Sequence, residues 1–344
     1  MFNKAILTRN WFTKYKAIKT PYTQYSTFQT GDFCILRHLK TNRKYFIGPL
    51  EQEGLRHVKG GSIYHKQLLD MPVRSIVKTN NESTGYMAHS PTLEEYVVNV
   101  PRACTPIYPK DACTIVQLLD AAPGHHILEA GTGNGSLTLH LARAVSGEGK
   151  IDTVDMRETH SLTAQKHIRR FERGKYQSLI SFHIGKLSDI LQLQQEQKEI
   201  YDGVVLDLPE PSEELQSILP LLKNDRFIVC YLPNMTQVLH LMKYIQQLPL
   251  VMEECIEAEW KEWEIRPTYI RHHHTNSSDN NKNDLDIEDD DNNNMDQSIN
   301  IEKEGKVNLN ESKTWVCRPK NYDVRGHTAF LVKIRKCCSV DSSL

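Results

Sequence analysis

Three glycines in five residues, Gly131, Gly133 and Gly135, stand just after an acid in the run Ile127-Leu128-Glu129-Ala130-Gly131-Thr132-Gly133-Asn134-Gly135-Ser136-Leu137. Ile127 and Leu128 read as a buried strand, and Leu137–Val145 has the spacing of an amphipathic helix. A glycine turn joining strand to helix brings bare backbone against a ligand, in conformations that other residues avoid. The spacing G-x-G-x-G departs from the dinucleotide pattern G-x-G-x-x-G. Glu129 repels a pyrophosphate but suits a ligand that carries an amino group and a positive charge. S-adenosylmethionine is such a ligand.

Further acids recur at predicted strand ends. Asp155 closes Thr153-Val154-Asp155, where a carboxylate accepts both ribose hydroxyls of a nucleoside. His160 follows at the start of a helix, either along the adenosine edge or as an ordinary exposed residue. Asp189, after the strand ending at Ile184, accepts from an adenine amine, or else Ser188 or Asp189 caps the next helix. Val204-Val205-Leu206 is wholly apolar and ends in Asp207, braced by Pro209 and Pro211. A charge ending a buried strand needs a compensating use. This one aims into the crevice beside the glycine turn.

The elements that must hold these acids alternate. Helices are predicted at Asp111–Leu119, Leu137–Val145, Ser161–Phe171, Glu213–Leu222 and Thr236–Ile245. Strands are predicted at 127–129, 151–154, 179–184, 204–206 and 227–232. Such alternation predicts an α/β fold with a mostly parallel sheet and helices on both faces. Two last strands, Val251–Ala258 and Ala329–Ile334, are expected to pair at one edge. Before this region, short apolar runs at 33–36, 44–47, 60–63 and 73–77 predict a small β-rich domain. Ser90-Pro91 and Thr92-Leu93-Glu94-Glu95 then open a short helix.

Charge is uneven along the 344 residues, although the net is −1. Residues 1–30 hold Lys4, Arg9, Lys14, Lys16 and Lys19 and no acid, among Thr, Tyr and Ser. That composition predicts a mitochondrial transit peptide and a matrix location, with cytoplasm or nucleus as the alternative. Residues 272–310 are dominated by Asn, Asp and Ser without an aromatic, and cannot offset chain entropy by burial. No run is apolar enough to cross a bilayer. The eight cysteines form no C-x-x-C pair, so neither a disulfide framework nor a zinc site is expected. Cys104, Cys113 and Cys230 read as small buried residues. The triplet His272–His274 reads as solvated surface, and no metal is expected.

From about Asp32 to Lys336 the chain resembles the tRNA (adenine-58-N1)-methyltransferase family. The resemblance rests on Pro91–Tyr96, Thr105-Pro106-Ile107-Tyr108-Pro109-Lys110-Asp111, the glycine segment 128–137, and Leu206-Asp207-Leu208-Pro209-Glu210-Pro211. It continues in Tyr231–Val238, Trp260–Pro267 and Gly326–Leu331. The resemblance implies a Rossmann-like class I methyltransferase with a seven-stranded sheet and S-adenosylmethionine as cofactor. It carries cofactor binding onto Glu129, Gly131, Gly133, Asn134, Gly135, Ser136, Leu137, Asp155, His160, Asp189 and Asp207.

The implied reaction is methylation of N1 of an adenosine in RNA, the T-loop adenosine of tRNA, with ribosomal RNA as an alternative substrate. Asp207 is its catalytic residue. Tyr108 holds the base or packs in the core. Lys110 and Arg266 contact phosphates or form ion pairs. The implied assembly is a homotetramer, or a heteromer with a non-catalytic RNA-binding subunit. Asp155 stands where Glu is frequent, Ser188 where many members have Gly, and Ser212 where some have an aromatic residue. The expected organisation is a transit peptide at 1–30, the β-rich domain at 31–100, a methyltransferase domain at 101–271 and 324–336, and a largely disordered insertion at 272–323.

Overall fold

The computed structural model describes residues 26–41, 43–193, 198–271, 311–319 and 326–337. Its first strands are β1 (Cys34–His38), β2 (Lys44–Ile47), β3 (Leu55–Val58), β4 (Gly61–Tyr64), β5 (Ser75–Lys78) and β6 (Gly85–His89). Four of them form an antiparallel sheet in the order β2-β1-β6-β5, while β3 and β4 make a separate hairpin. Phe28, Leu36, Ile47, Leu50, Ile63 and Tyr86 fill the core beneath. Tyr86 also donates its hydroxyl to the Lys59 carbonyl at 2.6 Å, which anchors the hairpin turn. β3 and β6 were not expected from sequence.

Helix α1 (Leu93–Asn99) starts where predicted, because Thr92 and Glu95 exchange side-chain and backbone bonds in a capping box. From it, Tyr96 meets Phe33 edge-on at 5.2 Å and donates its hydroxyl to the His167 carbonyl at 2.9 Å. Arg173 grips the buried Asp32 through two bonds, at 3.0 and 2.7 Å. The β-rich part thus belongs to the same unit as the main sheet.

The elements that follow are α2 (Pro109–Leu118), β7 (His126–Ala130), α3 (Ser136–Ala144), β8 (Lys150–Asp155), α4 (Glu158–Arg170), β9 (Ile180–Ile184), α5 (Leu187–Gln192), β10 (Tyr201–Leu206), α6 (Leu215–Ile218), β11 (Leu222–Leu232), α7 (Met235–Ile245) and β12 (Leu250–Ile256). After them come β13 (Trp263–Arg271), β14 (Glu311–Pro319) and β15 (Phe330–Lys336). The main sheet has seven strands, ordered β12-β15-β11-β10-β7-β8-β9. Its pairings are parallel from β11 to β9, and β15 runs antiparallel to both β11 and β12.

Successive residues of one strand enter different cores. Ile127, Ile151, Val205 and Val229 pack on one face, and Leu128, Val154, Val204 and Ile228 on the other. Burial on both faces explains why these strands read as continuous apolar runs. Strand order grows outward in opposite directions from the β7–β10 pair, which makes its carboxyl end a switch point that opens a crevice.

The expected helix at 213–222 is a correction. Residues 211–214 form a 3-10 turn, α6 is one short turn, and β11 already begins at Leu222. Leu222 already pairs with Tyr201 in the main sheet, which leaves room for only a short turn of helix before it.

A second unit spans Glu259–His327. Within it β13 pairs antiparallel with β14, from Trp263 opposite Pro319 to Arg271 opposite Glu311. The insertion expected at 272–323 therefore contains a nine-residue strand. Residues 1–25, which hold most of the predicted transit peptide, and residues 272–310, with His272–His274, lie outside the described residues. No helix among the described residues is long and apolar enough to cross a membrane.

Candidate functional site

A cavity of about 350 Å³ opens at the switch point, within the size range of small-molecule sites. Its floor is the glycine turn. Gly131 has φ +98°, and a Cβ there would stand 2.5 Å from the Asp207 carbonyl oxygen. Gly135, at φ +77°, lets α3 start against Ala164 and Ile168 of α4. Only glycine allows these approaches. Gly131 donates to the Val154 carbonyl at 2.8 Å, and Asp207 N–H donates to the Ala130 carbonyl at 2.9 Å, so the ends of β7, β8 and β10 share one frame.

Among the described residues, no buried lysine or arginine is paired with the acids at this turn. Asp155 accepts from Gly133 N–H at 3.0 Å through Oδ2 and from Arg157 N–H at 2.9 Å through Oδ1. The Arg157 side chain is 72% exposed and stands 4.0 Å away. Buried His160 lies 3.4 Å from Asp155 Oδ2. Asp207 lines the cavity, and among the described residues no hydrogen bond engages its carboxylate. Burial, with the Asp155 charge adding to it, pushes the Asp207 carboxyl up to about 6.

Glu129 does not line the cavity but is fully buried behind it. Its Oε2 accepts from the Thr138 and Thr153 hydroxyls at 2.6 and 2.7 Å, while Oε1 has no partner among the described residues. Burial pushes Glu129 up to about 8; the two threonine bonds oppose this, and the Asp207 and Asp155 charges add to it. Three carboxylates around one glycine turn leave a deficit of positive charge. An anionic phosphate deepens that deficit, whereas a sulfonium or ammonium group relieves it. The residues present fit S-adenosylmethionine. Asp155 and His160 would flank its nucleoside, the glycine backbone its chain, and the acids its positive charge.

Asn134 and Ser136, expected as ligand contacts, line the cavity and also tie down its wall. Asn134 accepts from Ala103 N–H at 2.8 Å and donates to the Cys104 carbonyl, and Ser136 donates to the Ile107 carbonyl at 2.7 Å. These bonds hold Cys104–Ile107 over the glycine turn. Leu137 lines the cavity as well. Asp189 does not: it is exposed on the first turn of α5, with Lys186 in the capping position.

Tyr108 is half-buried as the N-cap of α2, outside the lining. Lys110 overturns its phosphate reading. It is 5% exposed, and its ammonium donates to Asp111 Oδ1 at 3.0 Å, the Ala258 carbonyl at 2.6 Å and Thr328 Oγ1 at 2.7 Å. Arg266 belongs to β13 in the second unit, and its side chain lies outside the described residues. Of the three expected buried cysteines, Cys230 is buried, Cys104 is half-buried on the cavity wall and Cys113 is exposed. The sequence reading missed Cys104, Arg157, Tyr231 and Gln237 as lining residues. The signal for Tyr231 was its position at the end of β11, next to the Asp207 strand.

Fold and cavity together define a Rossmann-like methyltransferase. The family described as "tRNA methyltransferase complex GCD14 subunit" matches residues 86–336, and the chain belongs to that family. It is 41% identical over 227 residues to the tRNA (adenine(58)-N(1))-methyltransferase TrmI of Thermus thermophilus, covering 66% of this chain and 86% of that protein. It is 28% identical over 183 residues to the catalytic subunit TRM61 of Candida albicans, covering 53% of each. Among solved structures, the tRNA (m1A58) methyltransferase TrmI of Aquifex aeolicus shares its fold, with a TM-score of 0.62 and 21% identity over 91% of this chain and all of that one.

Proposed function

We propose that this chain transfers the methyl group of S-adenosylmethionine to N1 of adenosine 58 in the T loop of tRNA, and that the tRNA is mitochondrial. The observation that carries the reaction is Asp207: a free carboxylate on the cavity wall, one residue past a buried strand and against the glycine turn. The family and the named activity of its Thermus relative support the substrate. The five cations and absent acids of residues 1–30 support the mitochondrial assignment.

S-adenosylmethionine supplies an electrophilic methyl group on a sulfonium centre. The protein's part is alignment and charge. The glycine turn and Asp155 hold the donor so that the N1 lone pair meets it in line. Positive charge moves onto the purine during transfer, and Asp207 stabilises it by accepting a hydrogen bond from the exocyclic amine. N1 lies on the pairing edge, so the adenosine must leave its stack to reach the cavity.

The test is methylation of a tRNA transcript followed by mass spectrometry of its nucleosides. Asp207→Ala is expected to abolish 1-methyladenosine formation while cofactor binding, measured by calorimetry, persists. Near-normal methylation by that variant, or a product methylated on the exocyclic amine, overturns the reading. Failure of the wild-type chain to bind S-adenosylmethionine points to a non-catalytic subunit instead. Fractionation of tagged protein tests the mitochondrial assignment.

A further inference from the structure

Four buried polar side chains form one hydrogen-bonded network at the glycine turn and behind it. They are Glu129 on β7, Thr153 opposite it on β8, Thr138 on α3 and Thr132 in the turn itself. A hydroxyl has a single proton to donate. Thr138 and Thr153 both donate theirs to Glu129 Oε2, at 2.6 and 2.7 Å. The 2.7 Å bond between Thr132 and Thr153 must then be donated by Thr132. All three protons point toward the carboxylate, an order that an ionised Glu129 enforces and a neutral one does not. Thr132 also belongs to the cavity lining, so the order reaches from the buried acid to the cofactor's wall.

Among the described residues, no cation balances Glu129. Asp155 on β8 and Asp207 beyond β10 bring further negative charge. Burial keeps His140 of α3 and His167 of α4 below the usual imidazole range, so neither is charged at neutral pH. His160 of α4 stands 3.4 Å from Asp155, and Lys110 of α2 donates to Asp111, Ala258 and Thr328. Glu129 Oε1 has no partner among the described residues. Burial first, then the Asp207 and Asp155 charges, hold the Glu129 proton on at neutral pH against the pull of the two threonines. A cation entering the cavity tips that balance toward the charged form.

We infer that Glu129 is a positioning residue that answers the cofactor's charge from behind the cavity wall: it is neutral before S-adenosylmethionine binds, and binding drives its proton off and aligns the Thr132 and Thr153 hydroxyls toward the new carboxylate. The O–H bond of Glu129 breaks, its electron pair stays on the carboxylate, the proton goes to solvent, and the cofactor is unchanged. The inference rests on the cofactor of the methyl-transfer reading and deepens it, because the site then selects its ligand by charge as well as by shape.

The experiment is calorimetric titration of the full chain with S-adenosylmethionine at pH 7.0 in phosphate and in imidazole buffer, whose different ionisation enthalpies make the heats count protons. Wild type is expected to release about 0.9 proton more than Glu129→Gln, the share that an acid titrating at about 8 still holds at that pH. Because the complex has lost a proton that the free chain holds, raising the pH favours binding. The wild-type Kd is expected to fall about eightfold from pH 6.5 to 7.5, and that of Glu129→Gln to stay within about twofold. Thr153→Val keeps Glu129 and removes one donor to its carboxylate. It is expected to bind about tenfold more weakly with the proton count unchanged, and Thr153→Ser to restore the affinity. Equal proton release by wild type and Glu129→Gln, or wild-type affinity in Thr153→Val, overturns the inference while leaving the methyltransferase reading intact. Absence of binding by the wild-type chain overturns both.

Discussion

Asp207→Asn separates what this carboxylate does for the reaction from what it does to the fold. In the ligand-free protein its carboxyl moves from an ordinary 3.8 up to about 6, through burial and the nearby Asp155. At about 1.4 kcal/mol per unit, the charged form is disfavoured by about 3 kcal/mol in the folded state. The sign follows from proton binding. Between pH 3.8 and about 6 the folded chain holds a proton that the unfolded chain has released, so stability falls as pH rises through that window. Asparagine has nearly the same shape and no charge at any of these values.

The variant should therefore be about 2–3 kcal/mol more stable than wild type at pH 7.5. The difference should shrink below pH 6 and vanish by about pH 4. Urea denaturation of the ligand-free chains at the two ends of this range measures it, provided the slope m is unchanged. S-adenosylmethionine should stabilise wild type more than the variant, because its positive charge relieves the repulsion that asparagine has already removed. A gain equal at both ends of the range, or no gain at pH 7.5, refutes the electrostatic argument.

Gly131→Ala should lose methylation by more than about 100-fold and destabilise the fold by about 2–3 kcal/mol. It combines a left-handed backbone at φ +98° with a Cβ 2.5 Å from the Asp207 carbonyl oxygen; initial rates and thermal denaturation read the two effects. Arg173→Met leaves Asp32, 4% exposed, without its bidentate partner. A loss of about 3 kcal/mol in urea denaturation is expected, and a loss under about 1 kcal/mol would mean that the clamp carries little.

Legibility followed locality. The glycine turn, Asp155 and Asp207 could be read because each sits at the end of an apolar strand within a few residues of its own signal. The β12–β15 pairing was also legible, from two short apolar runs. β13 and β14 were not: a two-stranded ribbon buries too little to impose an alternating pattern, and Pro267 argues against a strand. Of the two readings of Lys110, the ion pair holds, with Asp111, and the phosphate contact does not, because the side chain is buried. Its two further partners, Ala258 and Thr328, lie 148 and 218 residues along the chain, where no local pattern shows them. Tyr231, Cys104, Arg157 and Gln237 reach the cavity from four separate segments, and only strand order brings them together. Asp189 had the right spacing, but a helical turn leaves it facing solvent.

β15 sits inside the sheet, hydrogen-bonded to β11 on one side and β12 on the other, with Leu331, Val332 and Ile334 fully buried. Covalent connection to β12 is therefore not what keeps it in place. A protease that nicks the Asn- and Asp-rich stretch should yield two polypeptides on a denaturing gel and a single particle on a sizing column. By the same logic, the chain split at that stretch and produced as separate halves should reassemble by fragment complementation.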